Sequence, residues 1–200
     1  MKVQPPSPSS KTPSGGSRLQ RISLLAVLAL GLGACGKDRA HVIRLSVPEQ
    51  RMAVYAKGVE VARYKISTSR FGLGSQPGSN CTPLGHLAIA EKIGGNAPSG
   101  MKFKSRRPTG EIVPVNAPGR DPIVTRILWL RGLERSNANA HERMIYIHGT
   151  PQESLLGTPA SYGCVRMRSK DIIQLYKTVD KGTDVFIANQ PLSAFAHSEN

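Results

Sequence analysis

Aromatic residues and cysteines are both scarce in this sequence. Phenylalanine, tyrosine and tryptophan make up 5% of the 200 residues, and the sequence contains no P-loop and no known RNA- or DNA-binding motif. Because single-stranded nucleic acids stack on aromatic side chains, we expect no nucleic-acid partner. The three cysteines, Cys35, Cys81 and Cys164, are too few for a disulfide scaffold and form no CxxC pair of the kind that zinc sites use. The sequence therefore predicts no metal and no cofactor.

The sequence also lacks an apolar run long enough to span a membrane comfortably. Residues 22–32 are apolar apart from one serine and follow Arg18 and Arg21, an arrangement typical of a secretory signal peptide. The next residues, Leu-Gly-Ala-Cys at 32–35, resemble a bacterial lipobox, which implies cleavage just before Cys35 and lipid on its sulfur. A plain signal peptide that ends near a cysteine is the alternative. Either version predicts a periplasmic or cell-envelope location, and lipidation predicts membrane anchoring.

Acidic residues are under-represented throughout. The first 35 residues contain none of them and four of the 27 basic ones. The remainder therefore carries 23 basic and 13 acidic residues, a net charge of +10 within the whole-chain value of +14. Such a surface favours an anionic partner such as an acidic polymer or an acidic lipid. A solvated basic surface without a specific partner is the alternative.

A histidine and a cysteine near the C-terminal end carry the clearest chemical signal. His148 and Cys164 are sixteen positions apart, and Arg166 follows the thiol by two residues. A base or a nearby positive charge converts a thiol into a nucleophilic thiolate. Gly163 allows a tight turn beside Cys164, so that backbone N–H groups can face a developing oxyanion. The alternative is that Cys164 is a small buried side chain without chemistry.

Short alternating apolar segments predict a mainly β fold, a compact sandwich or barrel with one or two short helices. We expect one helix over residues 169–179, with Ser169 as its N-cap. Residues 91–121 show little periodicity and contain a basic cluster, Lys102, Lys104, Arg106 and Arg107, so we expect a long loop that acts as a substrate-covering flap or a solvated surface. The predicted strands are residues 41–47, 51–56, 59–66, 86–90, 123–130, 144–147 and 184–188.

The motif around the thiol resembles that of a known family. His148-Gly149, a spacer, and then Ser-x-Gly-Cys-Val-Arg at 161–166 are similar to the signature of the L,D-transpeptidase (YkuD-type) catalytic domain. The resemblance extends over about residues 41–188 and includes Thr-Pro-Leu-Gly at 82–85 and Gly-Thr-Asp-Val at 182–185. One departure is Tyr162, which stands where the family often has a second histidine.

The resemblance implies specific roles for these residues. Cys164 attacks the L,D-peptide bond between a diamino acid and D-alanine in a peptidoglycan stem peptide, and His148 transfers the proton. An acyl-acceptor amine, from a second stem peptide or a wall-attached protein, then releases the acyl group. The carbonyl of Gly149 orients His148, and Arg166 stabilises the thiolate or holds a substrate carboxylate. The remaining assignments are the backbone amides of Tyr162, Gly163 and Cys164 as oxyanion donors, and Ser161 with Arg166 as substrate-binding residues.

The predicted organisation and the competing functions follow from these assignments. Residues 1–35 are a disordered N-terminus with the signal peptide, 36–40 a tether, 41–189 the catalytic domain and 190–200 a flexible tail. A hydrolase that uses water as acceptor shares every motif. A non-catalytic wall-binding module and a metal site formed by His148, Cys164, Cys81 and His86 are further alternatives. If there is no metal site, we expect Cys81 to be a structural thiol and His86 to be a structural or exposed side chain.

Overall fold

The computed structural model describes residues 37–197. The predicted signal peptide, the lipobox and Cys35 lie outside these residues, so lipidation and cleavage stay predictions. Within 37–197, no helix is both long enough and apolar enough to cross a membrane.

The described residues form ten strands, one α-helix and three short 3₁₀ helices. The strands are β1 (His41–Ser46), β2 (Arg51–Ala56), β3 (Val59–Ser67), β4 (Gly85–Ile93), β5 (Met101–Lys104), β6 (Arg107–Ile112), β7 (Val124–Gly132), β8 (Tyr146–Gly149), β9 (Val165–Met167) and β10 (Asp184–Ala188). The helix α1 is Ser169–Thr178, and the 3₁₀ helices are Ala138–Ala140, Glu153–Leu155 and Leu192–His197.

Eight of these strands close into a barrel. Their order is β4-β10-β1-β2-β3-β9-β8-β7, and β7 pairs again with β4 to complete the ring. Closure removes the unpaired strand edges that invite aggregation. The predicted mainly β architecture is confirmed, and of the two expected arrangements the barrel is the one that forms.

The barrel interior is filled by the inward-facing apolar residues of the predicted strands. Ile43, Leu45, Met52 and Leu128 are fully buried there. Helix α1 covers one side of the barrel with Ile172 and Leu175, which are also fully buried. Full burial of one such side chain stabilises the fold by about 1.5–3 kcal/mol, which holds α1 against the barrel although the isolated helix is only ten residues long.

The start of α1 differs from the sequence prediction. The N-cap is Arg168, and Ser169 is the first helical residue. The Ser169 hydroxyl is buried and lies 2.7 Å from the Thr125 hydroxyl of β7. This side chain therefore links the helix to the barrel instead of capping the helix.

Two segments are more ordered than their sequence indicates. Part of the expected loop 91–121 forms the hairpin β5–β6, which carries the basic cluster and extends the sheet beyond β7. All six residues of β6 are exposed, so no alternation of apolar and polar residues marks that strand. The predicted tail also folds in part, because Leu192 and Phe195 are buried against Ala53 of β2.

Candidate active site

Parallel pairing of two short strands brings the two halves of the motif together. In the register of β8 with β9, His148 is opposite Arg166 and Ile147 is opposite Val165. Cys164 immediately precedes β9, and it lines a cavity of about 160 Å³ together with His148. β8 begins at Tyr146, two residues later than predicted, because Met144 has a φ of +57° that no β-strand accommodates. β8 also ends two residues later than predicted, at Gly149, so His148 lies within the strand and not beyond its end.

His148 is oriented by its neighbour along the chain. Its Nδ1 is 2.8 Å from the carbonyl oxygen of Gly149. Because a carbonyl only accepts hydrogen bonds, Nδ1 carries the proton and Nε2 keeps a free lone pair. The imidazole is 4% exposed, and this burial lowers its pKa, an effect that the Gly149 carbonyl partly opposes. His148 is therefore a neutral imidazole suited to accept a proton.

Cys164 is a protonated thiol at neutral pH. Burial raises its pKa to about 11, although a backbone hydrogen bond from Tyr146 and the charge of Arg166 act in the opposite direction. The sulfur lies 3.4 Å from the carbonyl oxygen of Met144, a geometry in which the thiol donates. Arg166 thus lowers the pKa of Cys164, the direction expected of a charge that favours the thiolate, but desolvation of the thiolate outweighs the attraction of the guanidinium.

The charge of Arg166 is compensated by a residue that the sequence analysis did not identify. Arg166 Nη2 is 2.6 Å from Asp121 Oδ2, and the two side chains are 6% and 9% exposed. The other oxygen of Asp121 accepts a hydrogen bond of 2.5 Å from the Thr150 hydroxyl. This pairing orients the guanidinium toward Asp121. For Arg166 to hold a substrate carboxylate, as predicted, its guanidinium must either bind the carboxylate and Asp121 together or release Asp121.

The turn before Cys164 is held by internal hydrogen bonds. The Ser161 hydroxyl donates to the Cys164 carbonyl at 2.5 Å and accepts the N–H of Gly163 at 3.2 Å. Ser161 is 1% exposed, so its hydroxyl shapes the turn. Since the Gly163 amide is occupied by Ser161, the predicted oxyanion donors reduce to the amides of Tyr162 and Cys164.

Gly163 and Cys81 meet on the outer side of this turn. Gly163 has a φ of +113°, and a Cβ at this position would be 3.3 Å from the carbonyl oxygen of Cys81. That carbonyl also accepts a hydrogen bond of 2.7 Å from Arg143. Cys81 and Cys164 are both free thiols. The backbone of Cys81 thus lies close against the turn that precedes Cys164.

A second, larger cavity adjoins the first. It has a volume of about 640 Å³ and shares Asp121, Tyr162 and Arg166 with the cavity that contains Cys164. Tyr162 is 55% exposed, so its ring stands at the rim between the two cavities. Among the residues that line only the larger cavity are Arg70 and Arg120.

His86 is engaged outside this site. Its Nε2 is 2.9 Å from Asp184 Oδ1, and its ring stacks on Phe186 with 4.4 Å between centroids. Within the part of the chain that the structure describes, no three histidine, cysteine or acidic side chains come together as metal ligands.

One protein-family model covers nearly the whole barrel. It describes an L,D-transpeptidase catalytic domain of the YkuD type and matches residues 40–187. The chain therefore belongs to the L,D-transpeptidase family, as the resemblance of its motif predicts.

Particular relatives share shorter stretches with the chain. YkuD of Bacillus subtilis strain 168, provisionally named as an L,D-transpeptidase, is 31% identical over 86 residues, which are 43% of this chain and 48% of YkuD. YqjB of the same organism, also provisionally named as an L,D-transpeptidase, is 38% identical over 47 residues, 24% of this chain and 27% of that protein. The match thus spans at most about half the length of these relatives.

Solved structures resemble the barrel as well. L,D-transpeptidase 3 from Mycobacterium tuberculosis, in complex with a faropenem-derived adduct, is 20% identical with a TM-score of 0.49, over 74% of this chain and 60% of that chain. An L,D-transpeptidase from Xylanimonas cellulosilytica is 18% identical with a TM-score of 0.48, over 74% of this chain and 60% of that chain.

Proposed function

We propose that this protein is a cysteine-dependent L,D-transpeptidase that acts on peptidoglycan stem peptides through a thioacyl-enzyme. The observation that carries the proposal is the neutral His148, whose free Nε2 shares a cavity with the Cys164 thiol. A neutral thiol and a neutral base are matched for attack with simultaneous proton transfer, because neither member of the pair has to carry a buried charge before substrate binds.

In the first step, the Cys164 sulfur attacks the carbonyl carbon of the scissile L,D-peptide bond. The S–C bond forms while His148 Nε2 takes the thiol proton, and the amides of Tyr162 and Cys164 stabilise the oxyanion. One oxyanion donor contributes about 3–4 kcal/mol to such a transition state. The C–N bond then breaks, the imidazolium returns the proton to the leaving nitrogen, and D-alanine departs with its amine restored.

In the second step, an amine attacks the thioester carbonyl. The new C–N bond forms as the S–C bond breaks, and the amine proton passes through His148 to the sulfur, which restores the resting thiol. Water in place of the amine yields hydrolysis by the same route. The product therefore distinguishes a crosslinking or protein-attaching enzyme from a hydrolase.

The proposal is tested with the full chain and a peptidoglycan fragment that carries tetrapeptide stems. We expect loss of D-alanine together with a crosslinked dimer, detected by mass spectrometry, and a covalent acyl adduct on Cys164. Cys164→Ala abolishes both products. His148→Ala reduces acylation by about 10²–10⁴-fold, the usual contribution of general acid–base catalysis.

A matched control is provided by Cys81→Ala, which removes the other described thiol and retains acylation. Full activity of Cys164→Ala contradicts the proposed nucleophile. Cleaved monomers without dimers, in the presence of acceptor, identify a hydrolase. Binding to the fragment without any turnover, equal in wild type and Cys164→Ala, identifies a wall-binding module.

We also propose that the protein works at the cell envelope, anchored through lipid on Cys35. The signal-like segment and the lipobox-like residues of the sequence support this location. Cell fractionation of the wild type and of Cys35→Ser tests it. We expect the wild type in the membrane fraction and Cys35→Ser outside it, whereas equal membrane association of both contradicts lipid anchoring.

A further inference from the structure

The larger cavity presents a positively charged wall next to the reacting thiol. Arg70, Arg120 and Arg166 line it, and Asp121 is the only acidic residue among the described residues that do so. Asp121 is already paired with Arg166 at 2.6 Å. The cavity therefore keeps an excess of two positive charges, those of Arg70 and Arg120, and this excess favours an anionic ligand.

Arg70 is held in place by two aromatic rings. Its guanidinium carbon is 4.5 Å from the centre of the Tyr162 ring and 5.1 Å from that of Phe71. The two rings contact each other with 5.3 Å between their centres, and Arg70 Nη2 donates a hydrogen bond to the Tyr162 hydroxyl. These contacts restrict the arginine before any ligand binds, so less side-chain entropy is lost when it forms further hydrogen bonds.

The position of the cavity indicates which reactant it receives. After the proposed first step the acyl carbon is bonded to Cys164, which lines the smaller cavity of about 160 Å³. The larger cavity, about 640 Å³, adjoins it across Tyr162 and Arg166 and is within the usual size of a small-ligand site. A second reactant bound in the larger cavity would lie next to the thioester.

We propose that the larger cavity binds the acyl acceptor, an amine with a carboxylate close to it, and that Arg70 together with Arg120 recognises this carboxylate. This inference rests on the proposed transpeptidase function. The planar guanidinium of Arg70 matches the two oxygens of a carboxylate, which sets the amine nitrogen near the thioester carbon. Arg70 is thus a specificity-determining residue for the acceptor.

The experiment compares two acceptors in the full-length enzyme. Both are short peptides with one free side-chain amine, and they differ only in a free carboxylate or a carboxamide at the carbon that bears this amine. Acyl transfer from a tetrapeptide donor is followed by mass spectrometry at varied acceptor concentration. We expect the acceptor KM to be roughly 10- to 100-fold lower for the carboxylate, the range of a charge-assisted hydrogen bond.

Variants of Arg70 assign this preference to a residue. Arg70→Gln is expected to raise the KM of the carboxylate acceptor to that of the carboxamide, and Arg70→Lys to restore part of the difference because it keeps the charge but not the fork. Arg51→Gln is a matched control, since Arg51 is an exposed arginine of β2 that lines neither cavity. It is expected to keep the wild-type preference.

Two kinetic results overturn the inference. One is equal KM for the two acceptors in the wild type. The other is a loss of acyl-enzyme formation in Arg70→Gln, without acceptor, as large as its loss of transfer, which assigns the cavity to the donor. Calorimetric binding of both acceptor peptides to Cys164→Ala makes the same comparison without chemistry. The two proposals can thus fail separately. If the wild type forms no acyl-enzyme, the proposed function is wrong, whereas equal binding of the two peptides to Cys164→Ala contradicts the acceptor site.

Discussion

Replacement of Asp121 by asparagine is expected to lower the stability of the protein and at the same time to raise the reactivity of Cys164. Asp121 and Arg166 form an ion pair of 2.6 Å in which both side chains are less than one-tenth exposed. Asp121→Asn keeps the size of the side chain and an oxygen for the Thr150 hydroxyl. It removes only the negative charge, so Arg166 is left buried without compensation.

The loss of stability follows from the burial of the remaining charge. Removal of one partner from a buried ion pair typically costs about 3–5 kcal/mol. For a domain of this size each kilocalorie lowers the melting temperature by roughly 2–4 °C, so we expect a decrease of about 6–20 °C. The double variant Asp121→Asn/Arg166→Gln leaves no unpaired charge, and we expect it to be more stable than Asp121→Asn alone. Calorimetry or thermal circular dichroism measures both values.

The gain in reactivity follows from the same change. The negative charge of Asp121 helps to raise the pKa of the Cys164 thiol, and Arg166 acts in the opposite sense. Without Asp121 the pKa of Cys164 falls and the thiolate fraction at pH 8 increases. Because a less basic thiolate is also less nucleophilic, each unit of decrease raises the rate of alkylation only about threefold. Iodoacetamide labelling of Cys164, followed by mass spectrometry in a Cys81→Ser background, measures this rate.

The two measurements together test the reasoning. Faster alkylation with a lower melting temperature is expected. Slower or unchanged alkylation of the folded variant means that Asp121 does not act on Cys164 through its charge. An unchanged melting temperature means that the ion pair is solvated and that Arg166 does not depend on it.

Three further changes have defined outcomes. Gly163→Ala places a side chain at a φ of +113° and a Cβ 3.3 Å from the carbonyl oxygen of Cys81. The control is Gly157→Ala, which has a similar φ of +97° but whose Cβ has the flexible side chain of Lys65 as its nearest neighbour. We expect slower acylation in Gly163→Ala than in this control, measured as acyl adduct formed over time. Gly149→Ala brings a Cβ within 2.6 Å of the carbonyl oxygen of Val124, and we expect urea denaturation to show a loss of about 1–3 kcal/mol; wild-type stability contradicts the close approach of β7. The folded-state pKa of Cys164, about 11, is above its ordinary value of 9.0, so stability is retained below pH 9 and lost as pH rises from 9 to 11, by at most about 2.7 kcal/mol. Cys164→Ser is expected to lose less stability over that interval in thermal unfolding scans, and equal losses in the two proteins contradict the assignment.

Most of the barrel could be predicted from the sequence because its strands alternate in polarity or are continuously apolar. β2 and β10 have the predicted bounds, and β1, β3 and α1 differ from prediction by one residue at one end. β9 was not predicted, because its three residues, Val165–Met167, are too few to show an alternation of apolar and polar side chains. The hairpin β5–β6 was missed because its second strand faces solvent along its whole length.

The motif residues of the candidate site could be predicted from the sequence, whereas the residues that contact and orient them could not. His148 and Cys164 belong to a local pattern, and parallel pairing of β8 with β9 accounts for their proximity. Asp121 lies in a segment rich in glycine and proline, and only tertiary structure brings it to Arg166. Arg70 likewise reaches Tyr162 across 92 positions of the chain. Contacts of this range leave no periodic trace in the sequence.

The resting site combines two effects of burial that both oppose charge separation. Burial lowers the pKa of His148 and raises that of Cys164 to about 11, so a preformed thiolate–imidazolium pair is unfavourable before substrate binds. In the proposed mechanism, charge therefore develops only as the sulfur attacks, when the positive imidazolium and Arg166 both stabilise the negative oxyanion at the same small cavity. A thiol held in this way is protected from oxidation and from adventitious electrophiles, because the thiolate is the species that reacts. In this mechanism, selectivity for substrate would arise from the groups that align the peptide carbonyl with the sulfur, which we propose to lie in the walls of the two adjoining cavities.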